Sequence, residues 1–488
     1  MIALIAMMAA TASMGRKSTR PPMPMKVMRA ARAMRASTRA TKARASLYPL
    51  PTRSRATKSR MPERSLGEWL RYLEQLHPVD IDLGLARVRK AAEQLALFPY
   101  GPEVITVAGT NGKGSVVFGT ECILRAHGRR TGRYTSPHLL SFNERIAVDG
   151  CPVSDGQIVA AFDAIEAARG DVTLTYFEFA TLAAYWIFRE LRVDVAVMEV
   201  GLGGRLDAVN LVDSDIAVIT AIDLDHQHWL GDTVEQIAPE KAAIARPGRP
   251  VVLAEADYPD TLFHTLDDIG AVPLRAGREW SWRYEGDLQL SLKDHRESIT
   301  VPLPDGLRPS NLGAALQASA VSLGQTFDPQ KSREALRTLS VPARRQTISF
   351  AGRALLLDVA HNPAAMVALV EHLKARPVPG KTFAALGLMK DKDLAGMAAS
   401  LATAVDGACA LAIPGIDRAA APEAVWQALD DVGIAIPQGE FTADAVWSQL
   451  LDGSAAGDRL VICGSFYSVA GIMELLNIEL PSTPSVSS

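Results

Sequence analysis

Glu103-Val-Ile-Thr-Val-Ala-Gly-Thr-Asn-Gly-Lys-Gly-Ser115 decides how this chain is built. The β-branched apolar run from Val104 to Val107 predicts a buried strand, and the glycine-rich turn after it feeds a segment with helical apolar spacing at Val116, Val117, Cys122 and Ile123. Glycines 109, 112 and 114 let backbone N–H groups close around phosphate oxygens, and the helix that follows points its positive end at the same place. Lys113 adds a point charge, and the Ser115 hydroxyl is placed to reach a phosphate-bound Mg²⁺. The spacing departs from G-x-x-x-x-G-K-[ST]: only three residues separate Gly109 from Lys113, and Gly114 precedes the hydroxyl. It is a variant phosphate loop. A glycine-rich turn with no ligand is the plainer alternative, and it leaves Lys113 and Ser115 without a purpose.

The 488 residues suffice for two or three domains, and 48% hydrophobic with 22% charged residues is ordinary for a globular chain. No apolar run approaches the ~20 residues of a membrane helix. Cys122, Cys151, Cys409 and Cys463 have no metal-ligand or CxxC spacing and suit a reducing compartment. The net charge of −3 hides an asymmetry. Residues 1–62 carry 14 of the 51 basic residues and no acid, leaving 37 basic residues against all 54 acidic ones in the body. An acidic body argues against nucleic acid as the main partner. Residues 1–60, rich in Ala, Arg, Ser, Thr and Met, read as a disordered or mis-started extension; a transit peptide and a surface-binding tail are the alternatives.

Further along, Ser65-Leu-Gly-Glu68 forms a capping box ahead of Trp69, Leu70, Leu73 and Leu76. Val193 to Val200 is an apolar strand that delivers Glu199 at its carboxyl end, where ligands sit in open parallel sheets. A carboxylate in such a run needs a partner or a metal. A third strand, Ile216–Thr220, ends in Asp223-Leu-Asp-His-Gln-His228, a generic metal site of loose geometry. Lys241, on a predicted helix, reads from sequence alone as a lysine paired with a nearby acid.

Gly109-Thr110-Asn111-Gly112-Lys113-Gly114-Ser115 resembles the ATP loop of the Mur-ligase superfamily, and is most similar to its folate branch, dihydrofolate synthase/folylpolyglutamate synthase. The likeness continues through the lead-in segment His77-Pro-Val-Asp-Ile-Asp82-Leu-Gly-Leu-Ala-Arg-Val88, Thr135-Ser-Pro-His138, Thr175-Tyr-Phe-Glu178, Glu199-Val-Gly-Leu-Gly-Gly-Arg-Leu-Asp207, Leu224-Asp-His226, Glu240-Lys-Ala242 and Asp358-Val-Ala-His-Asn-Pro363. It runs from about Ser65 to Gly471.

The resemblance implies an ATP-dependent ligase that joins L-glutamate to dihydropteroate and to the glutamate tail of tetrahydrofolates through an acyl phosphate. It implies ATP and two Mg²⁺ ions, with room for a monovalent cation such as K⁺. ATP would be held by residues 109–115, Asn311, Arg344, Asp358 and His361. The metals would be held by Ser115, Ser136, Glu199, His226 and Lys241, the last carbamylated. Lys113, Glu199, His226 and Lys241 are the catalytic candidates. Asp82, Thr175, Phe177, Arg205 and Asp207 would face the substrate. Two positions depart from the family pattern: Tyr467 replaces a frequent histidine, and Ala343 replaces a hinge glycine in Val341-Pro-Ala-Arg-Arg345. Alanine does not freely adopt positive φ, which puts the hinge geometry in question.

The expected fold class is α/β: a P-loop ATPase-like domain with a parallel sheet, then a smaller Rossmann-like α/β domain. The expected divisions are a basic disordered extension at 1–62, an ATP-binding catalytic domain at 63–340, a ligase domain at 341–478 and a disordered tail at 479–488. Partners are small molecules only, with no nucleic acid for the folded body and no membrane; the chain is expected to be a cytoplasmic monomer, organelle targeting by residues 1–60 remaining open. Two other readings compete. A cell-wall Mur ligase would normally add an N-terminal domain for a UDP-sugar, and a nucleotide switch leaves Glu199, His226 and Lys241 unexplained.

Overall fold

The computed structural model of the protein describes residues 64–480 apart from 296. The basic extension predicted for 1–62 and nearly all of the predicted tail lie outside the described residues.

Helices α1 (Leu66–Leu76) and α2 (Leu85–Gln94) precede the first strand. The Ser65 box closes as the sequence predicts: the Ser65 hydroxyl accepts from the Glu68 N–H, and the Glu68 carboxylate accepts from the Ser65 N–H at 2.7 Å. Strand β1 (Glu103–Ala108) leads through the glycine loop into α3 (Lys113–Ala126). Strands β2 (Thr131–Tyr134), β3 (Ile146–Val148) and β4 (Cys151–Pro152) precede α4 (Asp155–Arg169) and α5 (Tyr176–Glu190). Then come β5 (Val195–Glu199), β6 (Ile216–Ile219), α6 (Val234–Ala242), β7 (Pro250–Leu253) and β8 (Val272–Arg275).

These eight strands form one sheet in the order β4-β3-β2-β5-β1-β6-β7-β8. Pairing is parallel from β2 through β8, whereas β3 and β4 add antiparallel to the edge, so the parallel sheet predicted here is mixed at one margin. The short connections from β2 through β4 leave no room for crossover helices. Alternation along the strands splits the core in two: Val104, Ala108, Ala196 and Met198 face α4 and α5, while Ile105, Val107, Val195 and Val197 face the other layer. That other layer holds α3 and α7 (Pro309–Leu323), followed outward by a small antiparallel sheet of β9 (Ser281–Glu285), β10 (Asp287–Ser291) and β11 (Ile299–Val301).

The remaining sheet has the order β12-β13-β16-β14-β15, with ranges Gln346–Phe350, Arg353–Leu357, Arg459–Cys463, Thr382–Leu386 and Gly407–Ala410. It is parallel except for the edge strand β12, and helices cover both faces, among them α8 (Pro363–Ala375). Leu139 and Leu140, from the loop after β2, pack against the core of this second sheet. Among the described residues no helix is long and apolar enough to cross a membrane.

Candidate active site

The sheet order places β1 between β5 and β6, so the segments leaving their carboxyl ends are neighbours. The loop from β1 is stitched to the end of β6: the Thr110 N–H donates to Ala221 O at 2.7 Å, its hydroxyl donates to Asp223 O at 3.0 Å, and Asn111 bridges Ala221. Two glycines are needed for this. At Gly109 a Cβ would fall 1.7 Å from the Thr220 hydroxyl; at Gly112, with φ +96°, it would meet the Asn311 side-chain amide at 2.4 Å. The second contact also brings Asn311, buried near the start of α7, against the loop. Lys113 Nζ donates to Gly109 O at 2.9 Å and Thr110 O at 3.1 Å, and Ser115 is buried in the first turn of α3.

Glu199 closes β5 opposite Val107. A Cβ on Gly114 would lie 3.6 Å from its carboxylate, and the Ser136 N–H donates to it at 3.3 Å. Burial pushes the Glu199 pKa up, while Lys113 and Arg344 pull it down; Lys113, half-buried by surface area, is pushed down by desolvation against the pull of Glu199. Each charge is tolerable only beside the other. His226 has left-handed backbone at φ 52°. It is exposed by surface area, yet neighbouring groups desolvate its charged form, and Lys392, Lys113 and His361 add to this against Asp225, giving a pKa pushed down to about 4. A neutral imidazole keeps a lone pair for a metal. Lys241, on α6, is buried and pushed down to about 7 by desolvation and Lys113. Its helix is held against the second glycine cluster: a Cβ on Gly204 would meet Glu240 O at 2.6 Å, and the Arg205 N–H donates there at 2.9 Å.

Glu199 and Ser136 are joined by the hydrogen bond from the Ser136 N–H, and Ser115 lies in the neighbouring first turn of α3; a carboxylate and hydroxyls are the donor types that Mg²⁺ takes. Among the described residues no three His, Cys, Asp or Glu side chains converge as a metal cluster.

The expected substrate residues are less uniform. The Thr175 hydroxyl caps α5 by accepting from the Glu178 N–H at 3.2 Å, which makes it part of the helix terminus. Asp82 joins the same region through Arg87, which pairs with Asp82 and reaches Glu178 at 3.0 Å. The Phe177 ring packs against Gly201, where a Cβ would approach it to 2.5 Å. Asp207 is buried inside its loop, accepting from Leu202 N–H at 2.8 Å and Val209 N–H at 2.9 Å; burial pushes its pKa up to about 6. Arg205 is not gathered with them; it is exposed and pairs with Glu240 at 2.9 Å.

From the second sheet, Arg344 lies 5.5 Å over Phe466, and the buried Asp358 carboxylate accepts from Arg345 N–H at 2.9 Å and Ala360 N–H at 2.7 Å. Ala343 adopts φ +52° despite its Cβ, so the hinge keeps the left-handed turn that the alanine had put in question. A cavity of about 280 Å³ runs between Gly114, Ser136 and Glu199 on one side and Arg344 and Phe466 on the other. Sequence reasoning gave no individual role to Asp225, Asn362 or Lys392, which meet here, Asp225 bonding both of the others.

Comparison with known proteins agrees. The Mur ligase, glutamate ligase domain family matches residues 343–466. The dihydrofolate synthase/folylpolyglutamate synthase of Escherichia coli K12 is 39% identical over 415 residues, covering 84% of this chain and 96% of that protein. The chain belongs to this family. Its Haemophilus influenzae member is 36% identical over 429 residues, covering 83% of this chain and 96% of the relative. Among solved structures, E. coli FolC in complex with DHPP and ADP superimposes with a TM-score of 0.81 at 38% identity, over 86% of this chain and 99% of that one. A bifunctional folylpolyglutamate synthase/dihydrofolate synthase with Mn, AMPPNP and L-glutamate bound gives 0.77 at 38% identity, over 85% and 98%. The phosphate loop, Glu199, His226 and Lys241 all lie within the stretch that these relatives and structures cover.

Proposed function

We propose that this chain is an ATP-dependent ligase that joins L-glutamate to dihydropteroate, forming dihydrofolate, and to the glutamate tail of tetrahydrofolates. The observation that carries this reading is the proximity of Lys113, Glu199 and Ser136 at the carboxyl ends of adjacent strands, with Glu199 and Ser136 lining a cavity opposite Arg344 and Phe466. It is supported by relatives named for both activities and by a neighbour structure with a nucleotide analogue and L-glutamate.

In the proposed reaction the phosphate-loop amides and Lys113 hold the ATP phosphates, and Arg344, Asp358 and His361 complete the nucleotide site from the second domain, taken as residues 341–478 after a catalytic domain at 63–340. The substrate carboxylate attacks the γ-phosphorus, giving an acyl phosphate and ADP. The glutamate amine then attacks the acyl carbon and inorganic phosphate leaves. Positioning and charge neutralisation supply most of the rate. Mg²⁺ bound by Glu199, His226, Ser136 and Ser115 would neutralise phosphate charge and polarise the transferring group. A Lys241 amine with a pKa near 7 has enough neutral form to take up CO₂ as a carbamate, which turns a cation into an anion beside the metals. Asp82, Thr175, Phe177 and Asp207 line the folate side of the cleft in this reading. The chain works as a cytoplasmic monomer on small molecules, with no nucleic-acid partner for the folded body.

The test is ADP release by purified protein with Mg-ATP and L-glutamate, comparing 7,8-dihydropteroate with a tetrahydrofolate as acceptor. Turnover with both supports the reading. Turnover with tetrahydrofolate alone reduces it to a polyglutamate synthase, and none with either, in folded protein, overturns it.

A further inference from the structure

Asp225 is the residue on which the two domains converge. It is 7% exposed, and its side-chain partners from the second domain come from two separate segments: Lys392 Nζ donates to Oδ1 at 2.6 Å, Asn362 Nδ2 donates to Oδ2 at 3.0 Å, and His361 Nε2 lies 3.5 Å from Oδ2. The same carboxylate accepts from the His226 N–H at 2.8 Å, and so fixes the backbone of that residue in its left-handed conformation.

Asn362 makes a second link. Its Oδ1 accepts from Asn111 Nδ2 at 3.1 Å while its Nδ2 donates to Asn111 Oδ1 at 3.0 Å, a reciprocal amide pair with the phosphate loop. Its Oδ1 also accepts from the Ala365 N–H at 2.9 Å, capping α8. With the donation to Asp225, both N–H groups and both lone pairs of the amide are used. Three of those four bonds exist only while the domains are together. Lys392, 8% exposed, loses its buried partner when they part.

Accepting the ligase reading above, we propose that Asp225, Lys392 and Asn362 form an interdomain latch, and that Asp225 is a positioning residue through which docking of the second domain sets the backbone of His226 and the Asn111 corner of the phosphate loop together. The latch makes the site complete only in the closed chain, which restricts phosphoryl transfer to the state that excludes water.

The test uses full-length Asp225→Asn, Lys392→Gln and the double variant, with kcat, KM for ATP, melting, and small-angle scattering with and without Mg-AMPPNP. The proposal expects each single variant to lose about 100-fold in kcat with KM for ATP within about threefold, as for a lost closed state. The double variant should be no worse than the poorer single one, because both changes break one contact. Nucleotide should contract the wild type but not the variants, a readout that needs no folate and stands apart from the identity of the acceptor. A kcat within threefold of wild type, multiplicative losses in the double variant, or normal contraction accompanying a lost kcat would each overturn the latch.

Discussion

Replacing Gly112 with alanine separates what the loop's glycines do for folding from what they do for chemistry. At φ +96° an L side chain sits beyond the left-handed region, which itself costs about 1–2 kcal/mol. The new Cβ would also stand 2.4–2.8 Å from the Asn311 amide, a buried group with little room to withdraw. Together these cost about 3 kcal/mol. At about 2–4 °C per kcal/mol, the melting midpoint should drop by roughly 6–12 °C. Gly114→Ala is the counterpart. Gly114 lies in the first turn of α3, and its Cβ would meet only the Glu199 carboxylate at 3.6–3.8 Å. There alanine gains helix propensity of up to about 1 kcal/mol, so the midpoint should hold or rise. Its kcat should fall, because a methyl group then covers the carboxylate that the ligase reading gives to the metal. The assay is a thermal scan without nucleotide beside steady-state ADP release. Equal midpoints for Gly112→Ala and wild type would refute the packing argument, and an unimpaired Gly114→Ala enzyme would refute the placing of Glu199.

Lys241→Met removes a buried amine of similar volume; melting should be unchanged or higher, while ADP release falls by about 100-fold or more, and retained turnover would remove Lys241 from the metal scheme. Asp207 carries a pKa of about 6 in the fold against ~3.9 unfolded, so the folded state binds the extra proton and this residue's contribution to stability declines as pH rises from about 4 to 6. Asp207→Asn should therefore gain about 2 kcal/mol relative to wild type between pH 4.5 and 7 in denaturant titrations, and parallel pH curves would contradict it. Ala343→Val places a β-branched side chain at φ +52° inside the hinge and should cost about 2–3 kcal/mol, read as a lower denaturation midpoint; no change would mean that the hinge relaxes freely.

Local chemistry made much of the molecule readable from sequence. The Ser65 box, the strand–loop–helix around Lys113 and the carboxylate at the end of β5 each follow from residues within one turn or one strand, and each stands where the spacing predicts. The antiparallel margin of β3 and β4 was not readable, because strands of three and two residues carry no periodicity. The positive φ of Ala343 was only a question in the sequence, because alanine disguises a position that glycine would announce. Thr175 reads equally as a ligand residue or as the first residue of a capping box, and only the bond from the Glu178 N–H assigns the cap. Asp225 was seen only as one member of a polar cluster. Its partners lie 137 and 167 residues away, and no pattern in the chain links an aspartate to a lysine at that range.

The pair Leu139 and Leu140 has a practical meaning for anyone dividing this protein. They belong by sequence to the part of the chain before residue 340 but are sheltered by the part after it. A fragment ending near residue 340 would present them to water together with the vacated cavity wall, an invitation to self-association. Halves produced separately should therefore be less soluble than the whole and should regain solubility on mixing, which makes the junction a workable seat for a split reporter whose signal depends on reunion.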